Sequence, residues 1–173
     1  MRHHNQRNNR EGRSADLSIF IGADHRGYSL KNKVSGYLTE RGFRVIDVGT
    51  HRKDISCDYP QFSYQVAKGV AENKGARGIL VCLTGIGHSI VANKVPGVRA
   101  ALCYSKQAAV LSRSHNDANV LIVGAKFVSE KKIMEIVRIW LSAEFEGGRH
   151  RRRLRQIGAI EKKFMYAKGE GGK

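Results

Sequence analysis

Apolar and polar residues alternate along this chain with two different periods, and each period predicts a different element. Five short segments are almost continuously apolar and are bounded by polar or Gly-containing turns. Such segments are typical of strands that are buried on both faces of a sheet. They occupy residues 17–24, 43–49, 77–83, 98–104 and 120–125.

Between these segments, apolar residues recur every three to four positions, which predicts amphipathic helices. Gly42, the stretch 73–75 and Pro96 are expected to end the first three helices, and Ser105 is the expected N-cap of the fourth. The clearest stripes are Leu30, Val34, Tyr37 and Leu38; Phe62, Val66 and Val70; and Ile133, Ile136, Val137, Trp140 and Leu141. Helices are also expected over 88–95, 105–114 and 151–166.

Five strands that are each followed by a helix predict an α/β fold. We expect a Rossmann-like three-layer sandwich, in which helices cover both faces of a five-stranded parallel sheet. In open parallel sheets, ligands bind beyond the carboxyl ends of the strands. Functional groups are therefore expected where the predicted strands end, at Asp24, Gly49, Leu83, Tyr104 and Ala125.

Charge changes this picture mainly at the two ends of the chain. The 173 residues include 31 Lys and Arg against 15 Asp and Glu, a formal net charge of +16. Residues 1–16 carry four Arg against two acids, and residues 149–173 carry nine basic residues against two acids. This distribution argues against a surface devoted to nucleic acid, and it indicates a basic tail or a local phosphate site.

Composition also predicts the domain plan and the compartment. The first 16 residues lack the apolar segment of a secretory signal, and no run approaches 18 apolar residues, so no membrane partner is expected. We expect a disordered basic tail over 1–16, a single domain over 17–163 and a flexible tail over 164–173. Three cysteines without a CxxC pair argue against disulfides or zinc and favour the cytoplasm.

The loop after the first strand, GADHRG at 22–27, places Asp24 beside His25. An Asp can bind sugar hydroxyls, and a His can bind phosphate or move a proton. A structural turn with Asp as a helix cap is the alternative, and this loop alone does not decide between the two.

The loop after the third strand, CLTGIGHSIVANK at 82–94, carries the most chemistry. Cys82 ends a buried strand, and the Gly-rich turn that follows opens a helix, so its backbone N–H groups suit an anion. A thiol at this positive helix end is expected to ionise more readily. The segment contains neither a Walker A motif nor a full GxGxxG, so nucleotide binding has little support. A buried Cys beside a structural turn is the alternative.

Two later segments contribute an imidazole and a pair of guanidinium groups. His115 and Asn116 lie just before the fifth strand, where they suit either proton transfer or a plain turn. Arg149 and Arg153 are four residues apart, so on a helix they share a face that suits a phosphate. A solvated or RNA-binding basic helix is the alternative. Together these groups predict proton transfer on a small phosphorylated carbonyl compound, with no metal or other cofactor.

In their order along the chain, these motifs resemble those of the type B ribose-5-phosphate isomerase family, which also includes allose- and galactose-6-phosphate isomerases. The matching segments are GADHRG at 22–27, DYP at 58–60, CLTGIGHSIVANK at 82–94, GVRAAL at 97–102, SRSHNDANVL at 112–121 and EGGRHRRR at 146–153. The resemblance spans about residues 17–163. It implies a homodimer, or a tetramer, of five-stranded parallel α/β subunits with sites at the subunit interface, acting in the pentose phosphate pathway.

The resemblance also implies a role for each matching residue. Cys82 is similar to the base that moves a proton between sugar carbons 1 and 2, and His115 to the residue that opens the furanose ring. The implied binding residues are Asp24 and Asn116 for the sugar; His25, Arg149 and Arg153 for the phosphate; and the N–H groups of Leu83, Thr84, Gly85, Ile86 and Gly87 for the enediolate oxygens.

Three positions depart from the family pattern. Leu83 stands where Gly is usual, which would cost about 1–2 kcal/mol if the backbone there had a positive φ. His88 stands where an apolar residue is usual and where some relatives have a catalytic Glu, so it either lines the pocket or is a second base. Lys126 replaces a frequent Arg, which keeps the charge but loses the bidentate fork.

The leading hypothesis is an aldose–ketose isomerase that interconverts ribose 5-phosphate and ribulose 5-phosphate through a cis-enediolate. One alternative is an isomerase of six-carbon sugar 6-phosphates. The other is a non-catalytic protein of the same fold that binds phosphosugars or RNA. Cys82 and His115 favour an enzyme, whereas Leu83, His88 and the Arg-rich C-terminal segment keep the binding protein open.

Overall fold

The computed structural model describes residues 17–167, so the predicted tail over 1–16 and residues 168–173 lie outside the described residues. Within this range the chain forms five strands and six helices. The strands are β1 (Ser18–Ala23), β2 (Arg44–Asp47), β3 (Arg77–Cys82), β4 (Ala100–Leu102) and β5 (Val120–Gly124). The helices are α1 (Tyr28–Thr39), α2 (Tyr59–Glu72), α3 (Ile86–Ala92), α4 (Lys106–Ser114), α5 (Glu130–Ser142) and α6 (Gly148–Ala167).

All five strands lie in one parallel sheet with the order β2-β1-β3-β5-β4. The predicted fold class is therefore confirmed. Ala23 of β1 pairs in register with Val81 of β3, and Cys82 pairs with Gly124 of β5. These pairings bring the carboxyl ends of the three central strands to one level, where a ligand site is expected.

Helices cover both faces of the sheet and form two separate cores. Side chains of α1, α4 and α5 pack on one face, and side chains of α2 and α3 pack on the other. Along β3, Ile79 and Val81 belong to the first core and Leu80 to the second, as the two-residue period of a strand requires. The continuous apolar runs of the sequence follow from this burial on both faces.

Several boundaries differ from those predicted. β4 covers only three residues, because it is an edge strand that pairs with β5 alone. α6 begins at Gly148, where Gly147 and Gly148 turn the chain with positive φ angles of 71° and 49°. It continues to Ala167, so four residues of the predicted C-terminal tail are helical. The Ser105 cap is confirmed, since its side chain accepts a hydrogen bond from the Ala108 N–H at 3.1 Å.

Lys31 lies on the inner face of α1, on the same face as the buried Val34 and Leu38. Its side chain is fully buried and forms an ion pair with Asp47, the last residue of β2. The pair joins α1 to the edge of the sheet. Among residues 17–167, no helix is long and apolar enough to cross a membrane.

Candidate active site

Asp24, Cys82 and His88 form a buried cluster at the carboxyl edge of the sheet. Asp24 and Cys82 are adjacent because the residues before them, Ala23 and Val81, pair in register. A carboxylate oxygen of Asp24, the Sγ of Cys82 and a ring nitrogen of His88 all lie within 4.8 Å of one another. The three residues are 7%, 8% and 0% exposed. The fold thus assembles three predicted residues from two loops.

The carboxylate of Asp24 also holds the loop in which it lies. Its Oδ1 accepts hydrogen bonds from the backbone N–H groups of Arg26, at 2.9 Å, and Gly27, at 3.1 Å. The structural role considered for Asp24 is therefore present, and it leaves the second carboxylate oxygen for another partner. Next to it, the Nδ1 of His25 accepts a hydrogen bond from the Cys57 N–H at 3.2 Å, which fixes one edge of that ring.

His88 lies on α3, and its buried side chain contacts α2. Its Nδ1 lies 2.5 Å from the Oγ of Ser63, and that hydroxyl donates to the carbonyl oxygen of Tyr59 at 3.1 Å. The Nε2 is buried and has no hydrogen-bond partner among the described residues. Burial lowers the pKa of His88 to about 4, and the nearby Asp24 carboxylate opposes that shift. The imidazole is therefore neutral at pH 7.

The turn after Cys82 is shaped by glycine. Gly85 has a φ of 84°, and a Cβ at this position would lie only 2.5 Å from a methyl carbon of Leu102. Asp117 is the one non-glycine residue with a positive φ among the described residues, so the strain considered for Leu83 does not arise. The Leu83 carbonyl accepts from the Lys126 N–H at 2.8 Å. Lys126 therefore lies beside the turn, and its side chain is exposed.

A second cluster surrounds His115, which caps the carboxyl end of α4. The rings of His115 and His150 are stacked, with centroids 4.1 Å apart and planes 8° apart. An oxygen of Glu146 lies 3.9 Å from the Nε2 of His115 and 3.7 Å from that of His150. The His115 side chain is 34% exposed, so it remains accessible to a ligand.

The paired arginines lie next to this second cluster. Arg149 and Arg153 occupy the first turns of α6 with exposed side chains, and the Arg149 Nε is 3.4 Å from the His150 Nε2. The predicted shared helical face is confirmed. Asn116 is exposed beside His115, and its carbonyl oxygen accepts from the Arg99 side chain at 3.0 Å.

The two clusters lie at opposite ends of the strands, the first at the carboxyl ends and the second near the amino ends. α4 begins after the carboxyl end of β4 and runs in the direction opposite to the strands, so His115 lies near the amino end of β5. Cys82, in contrast, pairs with Gly124, the last residue of β5. The five residues of β5 span about 13 Å. One copy of the chain therefore does not bring all the predicted residues into a single site.

Each cluster offers three donor atoms, which is the number that catalytic zinc sites use. In the second cluster the imidazole planes are parallel. Because a metal binds imidazole in the plane of the ring, the lone pairs of His115 and His150 do not converge on one ion. In the first cluster, Ser63 engages the Nδ1 of His88 and backbone N–H groups engage the Oδ1 of Asp24, which leaves the His88 Nε2 without a hydrogen-bond partner among the described residues. Both arrangements suit acid–base chemistry, and the absence of a metal requirement stays a prediction.

Comparison with known proteins identifies the family. The model of the Ribose/Galactose Isomerase family matches residues 19–157. This chain belongs to that family. The family predicted from the spaced motifs is thus confirmed.

Named relatives of this family member are similar over almost their whole length. Ribose-5-phosphate isomerase B of Escherichia coli (strain K12) is 46% identical over 145 residues, which cover 84% of this chain and 97% of the relative. The solved Clostridium thermocellum ribose-5-phosphate isomerase B is 50% identical, with a TM-score of 0.82, over 85% of this chain and 99% of the other. The Mycoplasma genitalium ribose-5-phosphate isomerase B, solved with bound ribulose-5-phosphate, is 44% identical with a TM-score of 0.83. The match covers 85% of this chain and 97% of the other.

Sequence reasoning missed three side chains of the two clusters. Ser63 lies on the same stripe of α2 as Val66 and Val70, so a polar residue in an otherwise apolar stripe was the available signal. Glu146 and His150 are four residues apart, a spacing that is common for pairs on a helix. Only the stacking of His150 on His115 shows which site this pair belongs to.

Proposed function

We propose that this chain interconverts ribose 5-phosphate and ribulose 5-phosphate through a cis-enediolate. The observation that carries this proposal is the cluster of Cys82 and Asp24 beside the turn 83–87, at the carboxyl edge of the sheet. Three similar proteins are ribose-5-phosphate isomerases by name, and one of them holds the ketose phosphate. Both observations favour an enzyme over a binding protein.

In this mechanism, Cys82 acts as a thiolate. Its Sγ removes the proton from carbon 2 of the open-chain aldose, the electron pair moves to give the enediolate, and the proton of the carbon-2 hydroxyl passes to the oxygen on carbon 1. The resulting thiol returns a proton to carbon 1, which gives the ketose and regenerates the thiolate. Backbone N–H groups of the turn 83–87 stabilise the negative oxygens, and Asp24 binds a sugar hydroxyl.

The complete site requires two copies of the chain in this proposal. Cys82 lies at the carboxyl ends of the strands, and the remaining predicted residues lie near the opposite ends. A second subunit therefore supplies His115, Asn116, Arg149 and Arg153. Exposed apolar side chains support such an interface. They include Ile86 and Ile90 on α3, and Ile157, Ile160 and Phe164 on α6, each more than half exposed.

His115 performs the ring opening in this scheme. Its partly exposed imidazole can transfer a proton between the ring oxygen and the hydroxyl on carbon 1 of the furanose. Glu146 lies within 4 Å of the Nε2 of His115, and the stacked His150 restricts the orientation of the ring. Arg149 and Arg153 of the same subunit bind the phosphate, and His25 of the other subunit completes this contact.

We infer that the protein works in the cytoplasm, as an enzyme of the pentose phosphate pathway. Cys57, Cys82 and Cys103 are all free thiols, which supports a reducing compartment. A catalytic thiolate also requires that Cys82 stay reduced.

A coupled assay over aldose phosphates of four, five and six carbons tests the function. We expect the highest kcat/KM for ribose 5-phosphate, with the same rate before and after treatment with EDTA. A preference for a six-carbon sugar would support the second hypothesis. Activity that EDTA removes and zinc restores would overturn the metal-free mechanism. No turnover of any sugar, with retained binding, would favour the binding protein.

Replacing Arg153 with alanine is expected to raise the KM for ribose 5-phosphate several-fold and to change kcat little. The reason is that a guanidinium contact to the phosphate contributes equally to substrate and transition state. Steady-state kinetics check this. Arg155→Ala is the matched control, because this exposed residue lies two positions further along α6 and faces another direction. An unchanged KM together with weaker RNA binding would support the nucleic-acid alternative.

A further inference from the structure

The buried cluster of Asp24, Cys82 and His88 brings together an oxygen, a sulfur and a nitrogen donor. One donor atom of each residue lies within 4.8 Å of the other two, and no hydrogen bond joins any two of these side chains among the described residues. Donors bound to one tetrahedral Zn²⁺ lie about 3.5 Å apart, because their bonds to the metal measure about 2.0–2.3 Å. Small side-chain movements therefore suffice to bring all three donors onto one ion.

We propose that the thiolate of Cys82, the carboxylate of Asp24 and the Nε2 of His88 bind Zn²⁺, and that the bound metal inhibits the isomerase. The inhibition rests on the proposed function, since a thiolate that ligates zinc cannot take the proton from carbon 2 of the sugar. The binding of zinc does not rest on it. The metal is an inhibitor and not a cofactor, so catalysis in zinc-free buffer follows the mechanism given above.

The hydrogen bonds of Ser63 leave one nitrogen of His88 for a metal. The Ser63 hydroxyl donates its proton to the Tyr59 carbonyl oxygen, so at the 2.5 Å contact it accepts the proton that the His88 Nδ1 carries. The lone pair of this tautomer lies on Nε2, which is buried and has no hydrogen-bond partner among the described residues. Histidines that ligate zinc usually donate from their other ring nitrogen in this way.

Asp24 and Cys82 also keep a donor atom for the metal. Backbone N–H groups of Arg26 and Gly27 bind the Oδ1 of Asp24, which fixes the carboxylate and leaves its Oδ2 for another partner. Cys82 is a free thiol. Two negative ligands neutralise the charge of Zn²⁺, and sulfur and imidazole ligands favour zinc over Mg²⁺ or Ca²⁺, which prefer oxygen.

Zinc binding at this cluster releases one proton. The S–H bond of Cys82 breaks, a Zn–S bond forms and the proton passes to solvent. A water molecule completes the tetrahedron, as at other zinc sites with three protein ligands. The ion enters from the carboxyl edge of the sheet, where Asp24 and Cys82 retain slight exposure, whereas His88 is fully buried.

Cysteine spacing along the chain gives no sign of this site, because only one of its ligands is a cysteine. Asp24 follows β1, Cys82 ends β3 and His88 lies on α3. The pairing of β1 with β3 and the turn before α3 bring these three donors together.

Titration of the whole protein with zinc chloride, followed by calorimetry in an anaerobic, chelator-free buffer, tests the site. We expect one Zn²⁺ per chain, bound about tenfold or more weakly in Cys82→Ser and in His88→Ile. Isoleucine suits position 88 because an apolar residue is usual there in the family, and the Ser63 hydroxyl keeps its bond to Tyr59. Near-ultraviolet circular dichroism and denaturant melts establish that each variant is folded.

Two matched control variants should bind zinc like the unchanged protein. Cys57→Ser removes a second thiol that lies near an imidazole, 3.8 Å from the Nδ1 of His25. Glu146→Gln alters the second cluster of possible ligands. Co²⁺ gives a separate readout, because tetrahedral Co²⁺ absorbs strongly in the visible range and a thiolate ligand adds a charge-transfer band. Cys82→Ser should lack that band, and Cys57→Ser should keep it.

Protection of Cys82 in the unchanged protein tests the same site without any substitution. Alkylation by iodoacetamide is followed by peptide mass spectrometry, with and without excess Zn²⁺. We expect zinc to slow the alkylation of Cys82 about tenfold or more, because a metal-bound thiolate is a poorer nucleophile and is shielded. Alkylation of Cys57 should not change, and EDTA should restore the rate at Cys82.

The outcomes separate this inference from the proposed function. Zinc affinity that is unchanged in folded His88→Ile, or a failure of zinc to protect Cys82, would overturn the site whatever the enzyme does. If zinc binds and protects Cys82 while the isomerase keeps its full rate, the site is correct and Cys82 is not the base. Saturable inhibition that EDTA reverses, and that needs far more zinc in His88→Ile, supports both.

Discussion

Replacing Cys82 with alanine is expected to lower kcat for ribose 5-phosphate by about 10²–10⁴-fold, which is the usual contribution of a general base. Cys82 is the one thiol that lies beside both the Gly-rich turn and the Asp24 carboxylate among the described residues. Binding should remain nearly intact, because other groups are proposed to hold the phosphate. Steady-state kinetics and the calorimetric Kd of ribulose 5-phosphate measure the two effects separately.

Cys103→Ala is the matched control for this substitution. Cys103 is also a free and buried thiol, but its side chain lies in the core that α1, α4 and α5 form with the sheet. Its loss should leave kcat within a few-fold. Near-normal turnover in Cys82→Ala would remove the base from Cys82 and would contradict the proposed mechanism.

Replacing His115 with alanine is expected to slow the conversion of ribose 5-phosphate about 100-fold or more, the lower range for acid–base catalysis. Ribose 5-phosphate is mostly a closed furanose, and His115 is proposed to open it. Ribulose 5-phosphate has an esterified oxygen on carbon 5, so it cannot close a five-membered ring and needs no opening. The reverse reaction should therefore lose much less. Initial rates in both directions, measured on the same protein, give this asymmetry.

Mixing two inactive variants shows whether the site spans two subunits. In a dimer of one Cys82→Ala chain and one His115→Ala chain, one of the two sites contains both native residues. Random reassembly should restore about a quarter of the native activity, since half of the closed symmetric dimers are mixed. No restoration, although mass measurements show mixed dimers, would place both residues of a working site in one chain. Equal losses in both directions for His115→Ala would contradict its role in ring opening.

The sequence alone predicted the elements of the sheet and one edge of the site. Continuous apolar runs and amphipathic stripes are local patterns, and burial between two helical layers accounts for both. Asp24 and Cys82 were found because residues that end neighbouring parallel strands come together at the same edge. The predicted boundaries of β4 and α6 were wrong, because edge pairing and the turn at Gly147 decide them.

The tertiary structure decided what no local pattern contains. The direction of α4 places His115 at the opposite end of the strands from Cys82, so motifs that read as one site along the chain form two separate clusters in one copy of the chain. The packing of α2 against α3 buries His88 and sets Ser63 against its ring. A sequence records the identity and spacing of side chains, whereas burial and partners depend on which distant elements the fold brings into contact.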